Sequence, residues 1–346
     1  MPDLLILSAY DAQSHQLWRH ALAAFLTDNQ PEWTIRQVAL SPRYFSWRSR
    51  GNSLTLALHP EIQKPPDLII ATSMTDLSAL RGMNRHVAEV PAIVYFHENQ
   101  FAYPDTHREG QLERRITSIY TALSADRCFF NSEFNRSTFL TGSDELLAKM
   151  PDEVPSGVVD TIRTESRVVP VALGKPLPAG ARSERLRIVW NHRWEHDKGP
   201  EQLRDIVEAL LTENVDFEMS LLGQQFRQTP EAMEEVASLL ASAGRLRHKG
   251  FIDDRHQYFD QLSQHDIVLS TAQHEFQGLA VQEAMNCGCI PVVPDGLSYP
   301  EYVPRQYRFD TVNEAVSVVV RIARGERENL SLAAFRSEEH TSELQS

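Results

Sequence analysis

Short runs of apolar residues alternate along this chain with longer stretches in which apolar positions recur every three or four residues. In the first half the runs are LLILSAY, TIRQVAL, DLIIAT, AIVYFH and RCFFNS, and stretches such as HQLWRHALAAFLTD and EGQLERRITSIYTALS between them have helical spacing. A second series opens near Leu186. There LRIVWNH, FEMSLLG, DIVLSTA and CIPVVPD read as strands, and PEQLRDIVEALLTE, PEAMEEVASLLASAG and LAVQEAMNCG read as helices. Apolar strands separated by helices predict parallel sheets covered on both faces, an α/β fold. Between the series, VPVALGKPLPAGARSER is rich in Pro and Gly and has no period, which predicts a linker. The expected organisation is an N-terminal unit over 1–172, a linker over 173–185 and a second unit over 186–335. Two doubly wound, Rossmann-like halves joined in this way are expected to face a central cleft at the carboxyl ends of their strands.

Composition narrows the class. At 346 residues the chain has room for two domains, and no run of eighteen apolar residues offers a membrane span. The opening MPDLLILSAYDAQSH lacks a basic leader and reads as a first strand. Cys128, Cys287 and Cys289 have no His or Cys neighbours at zinc spacing, so small buried thiols, a reducing cytoplasm and no metal are expected. A net charge of -13 argues against a general nucleic-acid coat or an anionic membrane surface. One stretch runs against that balance. SPRYFSWRSRGN carries Arg43, Arg48 and Arg50 interleaved with Tyr44, Phe45 and Trp47, and no acid. It is either a basic loop whose aromatics pack on the domain or a surface for a phosphate-bearing, stacking partner. The last eleven residues, Arg336 to Ser346, match the in-frame translation of a common sequencing-library adapter and are set aside, which leads to the expectation that the second unit is truncated at Ala334-Phe335.

Two stretches carry candidate chemistry. In WNHRWEHDKGP, Arg193 and Lys198 follow a strand, and Gly199-Pro200 opens the next helix. Two cations beside a helix start suit a diphosphate. In HEFQGLAVQEAMNCG, Glu275 lies on the loop after a strand, and Glu283 lies about a turn and a half into the following helix. Gly278 permits close backbone approach, and the amides of the helix start suit an anion. One carboxylate can accept sugar hydroxyls and the other a ribose diol.

This constellation resembles the retaining family 4 glycosyltransferases of GT-B architecture. The resemblance implies that Arg193 and Lys198 hold the donor diphosphate, that Glu275 with Phe276, Gly278 and Leu279 engages the transferred hexose, and that Glu283 binds the nucleotide ribose. In the first half, SPRYFSWRSRGNSL, PPDLIIATSMTDLSALRG and VYFHENQFAYP are similar to the subfamily of tRNA-queuosine mannosyltransferases. That similarity covers most of residues 1–330 and implies GDP-mannose as donor and queuosine in a tRNA anticodon as acceptor. FHENQ is its most specific element, implying hexose contact near the reacting carbon for His97. Glu98, Asn99 and Gln100 would orient His97 or meet the acceptor, and Arg43, Trp47, Arg48 and Arg50 would meet the tRNA. Where the subfamily has glycines before a Ser-His pair, this chain reads SAYDAQSHQLW, keeping Ser14 and His15 without the glycine. Front-face attack, with the leaving phosphate taking the acceptor's proton, is what the family resemblance implies; no metal cofactor is expected, and the sequence identifies no protein partner. The rivals are the same donor chemistry on a saccharide, lipid or other small-molecule acceptor, a sugar-nucleotide epimerase, and a catalytically silent tRNA-binding module.

Overall fold

The computed structural model describes residues 1–102, 110–174, 180, 183–213, 215–225 and 229–325. Most of the expected linker and the adapter-like tail lie outside these residues. The chain divides into two compact units, Met1–Pro170 and Val171–Ser346. Each is built around one parallel six-stranded sheet.

In the first unit the elements run β1 (Asp3–Ser8), α1 (Gln13–Asn29), β2 (Thr34–Ala39), α2 (Phe45–Ala57), β3 (Leu68–Thr72), α3 (Leu77–Met83), β4 (Ala92–Phe96), α4 (Gln111–Leu123), β5 (Arg127–Phe130), α5 (Glu133–Leu147), α6 (Val158–Thr164) and β6 (Ser166–Val168). The strand order is β2-β1-β3-β4-β5-β6, every neighbouring pair parallel. The chain leaves β1 to one side and returns as β3 on the other, so the order reverses between these two strands. All six residues of β1 are buried: Leu5 and Leu7 join Val94, Phe96 and Phe130 on one face, and Leu4 and Ile6 join Ala23 of α1 on the other. Full burial of such side chains stabilises by roughly 1.5–3 kcal/mol each, which is why the central residues Leu4 to Leu7 are apolar in succession instead of alternating.

The second unit runs β7 (Leu186–Asn191), α7 (Pro200–Thr212), β8 (Phe217–Leu222), α8 (Glu231–Ser242), β9 (Leu246–Gly250), α9 (Arg255–Ser263), β10 (Ile267–Leu269), α10 (Leu279–Asn286), β11 (Ile290–Pro294), β12 (Arg308–Phe309) and α11 (Val312–Ala323). Its order is β12-β11-β10-β7-β8-β9, again parallel, with the reversal between β7 and β10. Trp190, Val189, Leu221, Leu269 and Val292 are fully buried in its core. Gly288, at φ 94, follows the C-cap of α10 in the left-handed conformation that commonly ends helices.

Two differences from the sequence reading have physical causes. The basic-aromatic stretch is no loop: Phe45 to Ala57 form α2, and Tyr44, at φ 55, turns the chain into it. Its apolar residues are spread around the helix, so helical periodicity is faint. The strands β6 and β12, of three and two residues, are too short to show a period. Cys128, Cys287 and Cys289 are buried thiols, and burial pushes Cys128 and Cys287 up to about 12. Among the described residues no helix is long and apolar enough to cross a membrane.

Candidate functional site

In an open parallel sheet, the loops on either side of the reversal point diverge and leave a crevice at the strands' carboxyl ends. In the second unit those loops follow β7 and β10, and they carry Arg193, Lys198 and Glu275. Gly199 makes the first connection. At φ 65 it caps α7, with Pro200 next, and any side chain there would have its Cβ 2.1 Å from the Thr271 carbonyl oxygen. The two loops therefore touch backbone to backbone. Gln273 and His274 each donate an N–H to the Asp197 carbonyl, at 2.9 and 3.2 Å. The Thr271 hydroxyl donates to the Lys198 carbonyl at 2.8 Å and accepts from Trp190 Nε1 at 3.1 Å.

This scaffold buries Lys198. Its ammonium is 2.7 Å from the His274 carbonyl oxygen, 3.3 Å from Glu275 Oε2 and 3.2 Å from Asp197 Oδ2, an acceptor for each of its three protons. Burial works against the charge on Lys198, but Glu275 and Asp197 outweigh it and raise its pKa. Burial likewise pushes the Glu275 carboxyl up, yet Lys198, His192 and His274 bring it down to about 2. Both groups are thus ionised at neutral pH. Beneath them His192 is buried and held neutral, its pKa lowered to about 4 by burial and then by Lys198. Arg193 stands apart: it is exposed, and its guanidinium pairs with Glu195 at 2.9 Å. Asp197 and Glu195 had no part in the sequence reading, although they neighbour the two cations.

Gly278 opens α10 at φ 79 without a side-chain cap, and a Cβ there would lie 2.2 Å from the Tyr302 hydroxyl. Only glycine fits this turn, which leaves the first-turn amides from Leu279 onward at the site's edge. Phe276 is buried, its ring edge-on to His274 at 4.8 Å. Glu283 does not join the lysine. Its Oε1 accepts from Arg255 at 2.7 Å, and the Arg255 guanidinium lies 4.8 Å above the Phe259 ring. The neighbouring Tyr258 hydroxyl accepts from Asn191 Nδ2 at 3.0 Å, tying this second carboxylate back to the end of β7. Arg255 lies 28 residues before Glu283, and nothing in the local pattern signals the pair.

In the first unit His97 follows β4, and His15 lies in the first turn of α1, after β1. Their rings stack at 4.4 Å, with Trp18 edge-on to His97 at 4.8 Å and Tyr95 at 4.7 Å. His15 Nδ1–H donates to the Tyr10 carbonyl at 2.9 Å, which fixes its ring. His97 is 8% exposed, and its Nε2 has no hydrogen-bond partner among the described residues. Burial, then the neighbouring His15, holds its pKa well below the ordinary value, so it is neutral. An unsatisfied buried imidazole nitrogen is costly unless a ligand completes it. Ser14, which precedes His15 on α1, is exposed.

Of the two roles expected for Asn99, its bonds favour positioning the loop after β4. Its Nδ2 donates to the Asn135 carbonyl and side chain and to Thr138, all at 2.9 Å, while its Oδ1 accepts the amides of Phe101 and Ala102. With every polar atom used and the residue buried, Asn99 braces the loop and is not available to an acceptor. Glu98 and Gln100 on either side are half-buried, and the Gln100 carbonyl accepts from Arg115 at 3.2 Å. Arg43, just before α2, and Arg50, on it, are exposed and Arg48 is half-buried; none pairs with a carboxylate among the described residues. Arg50 donates to the Thr117 hydroxyl at 2.9 Å. Tyr44 and Trp47 are 80% and 53% exposed, so these aromatics do not pack into the domain.

Residues 3–173 match a family model described as tRNA-queuosine alpha-mannosyltransferase N-terminal, and residues 178–309 match one described as glycosyl transferases group 1. A tRNA-queuosine alpha-mannosyltransferase of Drosophila melanogaster is 33% identical over 329 residues, spanning 90% of this chain and 84% of the relative. Among solved structures, Anabaena HepE in complex with UDP is 13% identical with a TM-score of 0.63, over 94% of this chain and 91% of that one. A UDP-forming trehalose-phosphate synthase from Burkholderia xenovorans is 12% identical with a TM-score of 0.64, over 100% and 95%. These structural likenesses identify the fold as GT-B, two Rossmann-like units, and the group 1 match makes the chain a glycosyltransferase. Through both halves of its sequence, the chain belongs to the tRNA-queuosine alpha-mannosyltransferase family.

Proposed function

We propose that the chain transfers a mannosyl group from GDP-mannose to queuosine in a tRNA anticodon, with the anomeric configuration retained. The observation that carries this reading is the ionised Glu275–Lys198 pair, 3.3 Å apart, where the loops after β7 and β10 meet. In the reaction, the bond from the anomeric carbon to the diphosphate oxygen breaks and a bond to the acceptor hydroxyl oxygen forms. The hydroxyl proton passes to the leaving phosphate. Negative charge grows on the diphosphate while the sugar gains oxocarbenium character. Lys198, Arg193 and the first-turn amides of α10 act on that growing charge, and so favour the transition state over the ground state. The proposal assigns this task to protein cations and not to a metal ion. Glu275, an ionised acceptor, takes hexose hydroxyls, with Phe276, Gly278 and Leu279 beside it. Glu283 takes the ribose diol, and the open Nε2 of His97 takes a hexose hydroxyl. Arg43, Arg48 and Arg50 meet tRNA phosphates.

Incubation with labelled GDP-mannose and tRNA that contains or lacks queuosine, followed by mass analysis of digested nucleosides, tests the reading. A hexose-sized increase confined to queuosine and lost in Glu275→Ala is expected. Donor hydrolysis without any transfer to tRNA would keep the glycosyltransferase and discard this acceptor. Preference for UDP-glucose over GDP-mannose would discard the donor.

A further inference from the structure

The exposed tip of α2 carries a feature that the arginines do not explain. Gly51 lies inside the helix, where glycine costs roughly 1 kcal/mol relative to alanine. A Cβ at Gly51 would meet three atoms of the Trp47 six-membered ring, Cη2 at 2.6 Å and Cζ2 and Cζ3 at 2.7 Å. Three ring atoms at nearly one distance mean that the indole lies with its face against the helix, one turn on from its own Cα. Its other face is open, and the residue as a whole is 53% exposed. A helix position has given up its side chain so that a tryptophan can lie flat and outward.

The surroundings fit one class of occupant. Residues 41–58 contain no acid in a chain of net charge -13, and Arg43 and Arg50 lie four residues before and three after Trp47, both exposed. Tyr44, 80% exposed, enters the helix at φ 55, a conformation that non-glycine residues seldom adopt. Phe45 packs edge-on to Tyr10 at 5.5 Å, tying the tip to the loop after β1 that leads to His15. The tip therefore sits at the carboxyl-end rim of the sheet, where such folds bind ligands. A flat aromatic face beside cations that pair with no carboxylate among the described residues suits single-stranded nucleic acid held without reading sequence.

We propose that the Trp47 indole, laid flat by Gly51, is a stacking platform for an unpaired base of the acceptor tRNA, with Arg43 and Arg50 holding the adjoining phosphates. This rests on tRNA as the acceptor but adds a site and a mode of contact to it. A helix-docking protein is the competing occupant, because Leu54 and Leu58 continue the exposed apolar line; they lie farther along α2 from the rim.

Equilibrium titration with queuosine-containing tRNA tests the platform independently of turnover. Trp47→Ala is expected to weaken binding about tenfold, as loss of one stacked base does, and Trp47→Phe to retain most of it. Gly51→Ala should also weaken binding while leaving the melting temperature unchanged or higher, because alanine favours the helix but its methyl lifts the ring. In the Trp47→Ala background the Gly51→Ala change should have no further effect on binding. Unchanged tRNA affinity in Trp47→Ala, an additive double variant, or a change of oligomeric state without a change of tRNA affinity would each overturn the proposal. Failure of the wild-type enzyme to mannosylate a tRNA that it binds through Trp47 would overturn the assigned acceptor chemistry and leave the platform standing.

Discussion

Lys198 and Glu275 hold one another ionised across two loops, with Nζ 3.3 Å from Oε2. Removing one partner of such a buried pair leaves the other charge uncompensated, at a cost of about 3–5 kcal/mol. Lys198→Met is therefore expected to destabilise the fold by that order and abolish transfer. The double variant Lys198→Met/Glu275→Gln should regain much of the stability and none of the activity. Urea midpoints decide it: a double variant no more stable than the single one would show that the pair is not coupled.

Glu283 should behave differently. It is assigned the ribose, remote from the breaking bond, so its contact is equal in ground and transition states. Glu283→Gln is expected to raise the donor KM about tenfold and change kcat little, whereas Glu275→Gln should lower kcat. Initial rates over a donor series separate the two. Equal losses of kcat would place Glu283 at the reacting centre instead.

Gly278→Ala is expected to destabilise by about 1–3 kcal/mol, since it forces alanine to φ 79 and drives a methyl into the Tyr302 hydroxyl. Tyr302→Phe in that background should relieve the collision but not the backbone strain. Thermal denaturation of the pair would show partial rescue; a neutral Gly278→Ala would mean the turn relaxes freely.

Much of this architecture is legible in the sequence, and the exceptions share a cause. The strands β1, β7 and β11 declare themselves because they are buried on both faces, so their central residues form short apolar runs. Lys198 and Glu275 were legible because loops that leave a parallel sheet from its carboxyl ends carry function. Their ties to Asp197 and to the His274 carbonyl were not, because β7 and β10 neighbour each other only through the strand order. The His15–His97 stack was hidden for the same reason: β1 and β4 flank β3. For Asn99 the sequence leaves both roles open, because a polar residue in a motif loop looks the same whether it braces or binds.

Stability should fall as the solution is acidified from about pH 6.5 toward 4. His192 and His265 each titrate at about 4 in the fold, against 6.5 ordinarily, burial being the main cause in both. Within that window the unfolded chain binds protons that the folded chain refuses, so each histidine's contribution is complete above 6.5 and lost on the way down to 4. The slope is at most about 1.4 kcal/mol per pH unit for each. His265→Asn, away from the candidate site, should shallow the urea-derived profile; an unchanged slope would assign the effect elsewhere.

The three arginines on and just before α2 make an ionic-strength prediction. Replacing Arg43, Arg48 and Arg50 by alanine should weaken tRNA binding and flatten the dependence of log affinity on log salt by roughly 0.7–0.9 for each phosphate that is no longer neutralised. An unaltered slope across the series would move the acceptor surface off this helix.

The loops after β7 and β10 bring three carboxylates, Glu195, Asp197 and Glu275, against two cations, Arg193 and Lys198. Without a donor this cradle is thus already occupied by its own anions and is slightly negative. Any guest must evict resident carboxylates, and bare orthophosphate brings nothing to offset that eviction. A nucleotide sugar offers hydroxyls to Glu275 and a diol to Glu283 in exchange. The site is thereby insulated from the abundant small anions of a cell, so phosphate buffer should inhibit the enzyme far less than GDP does.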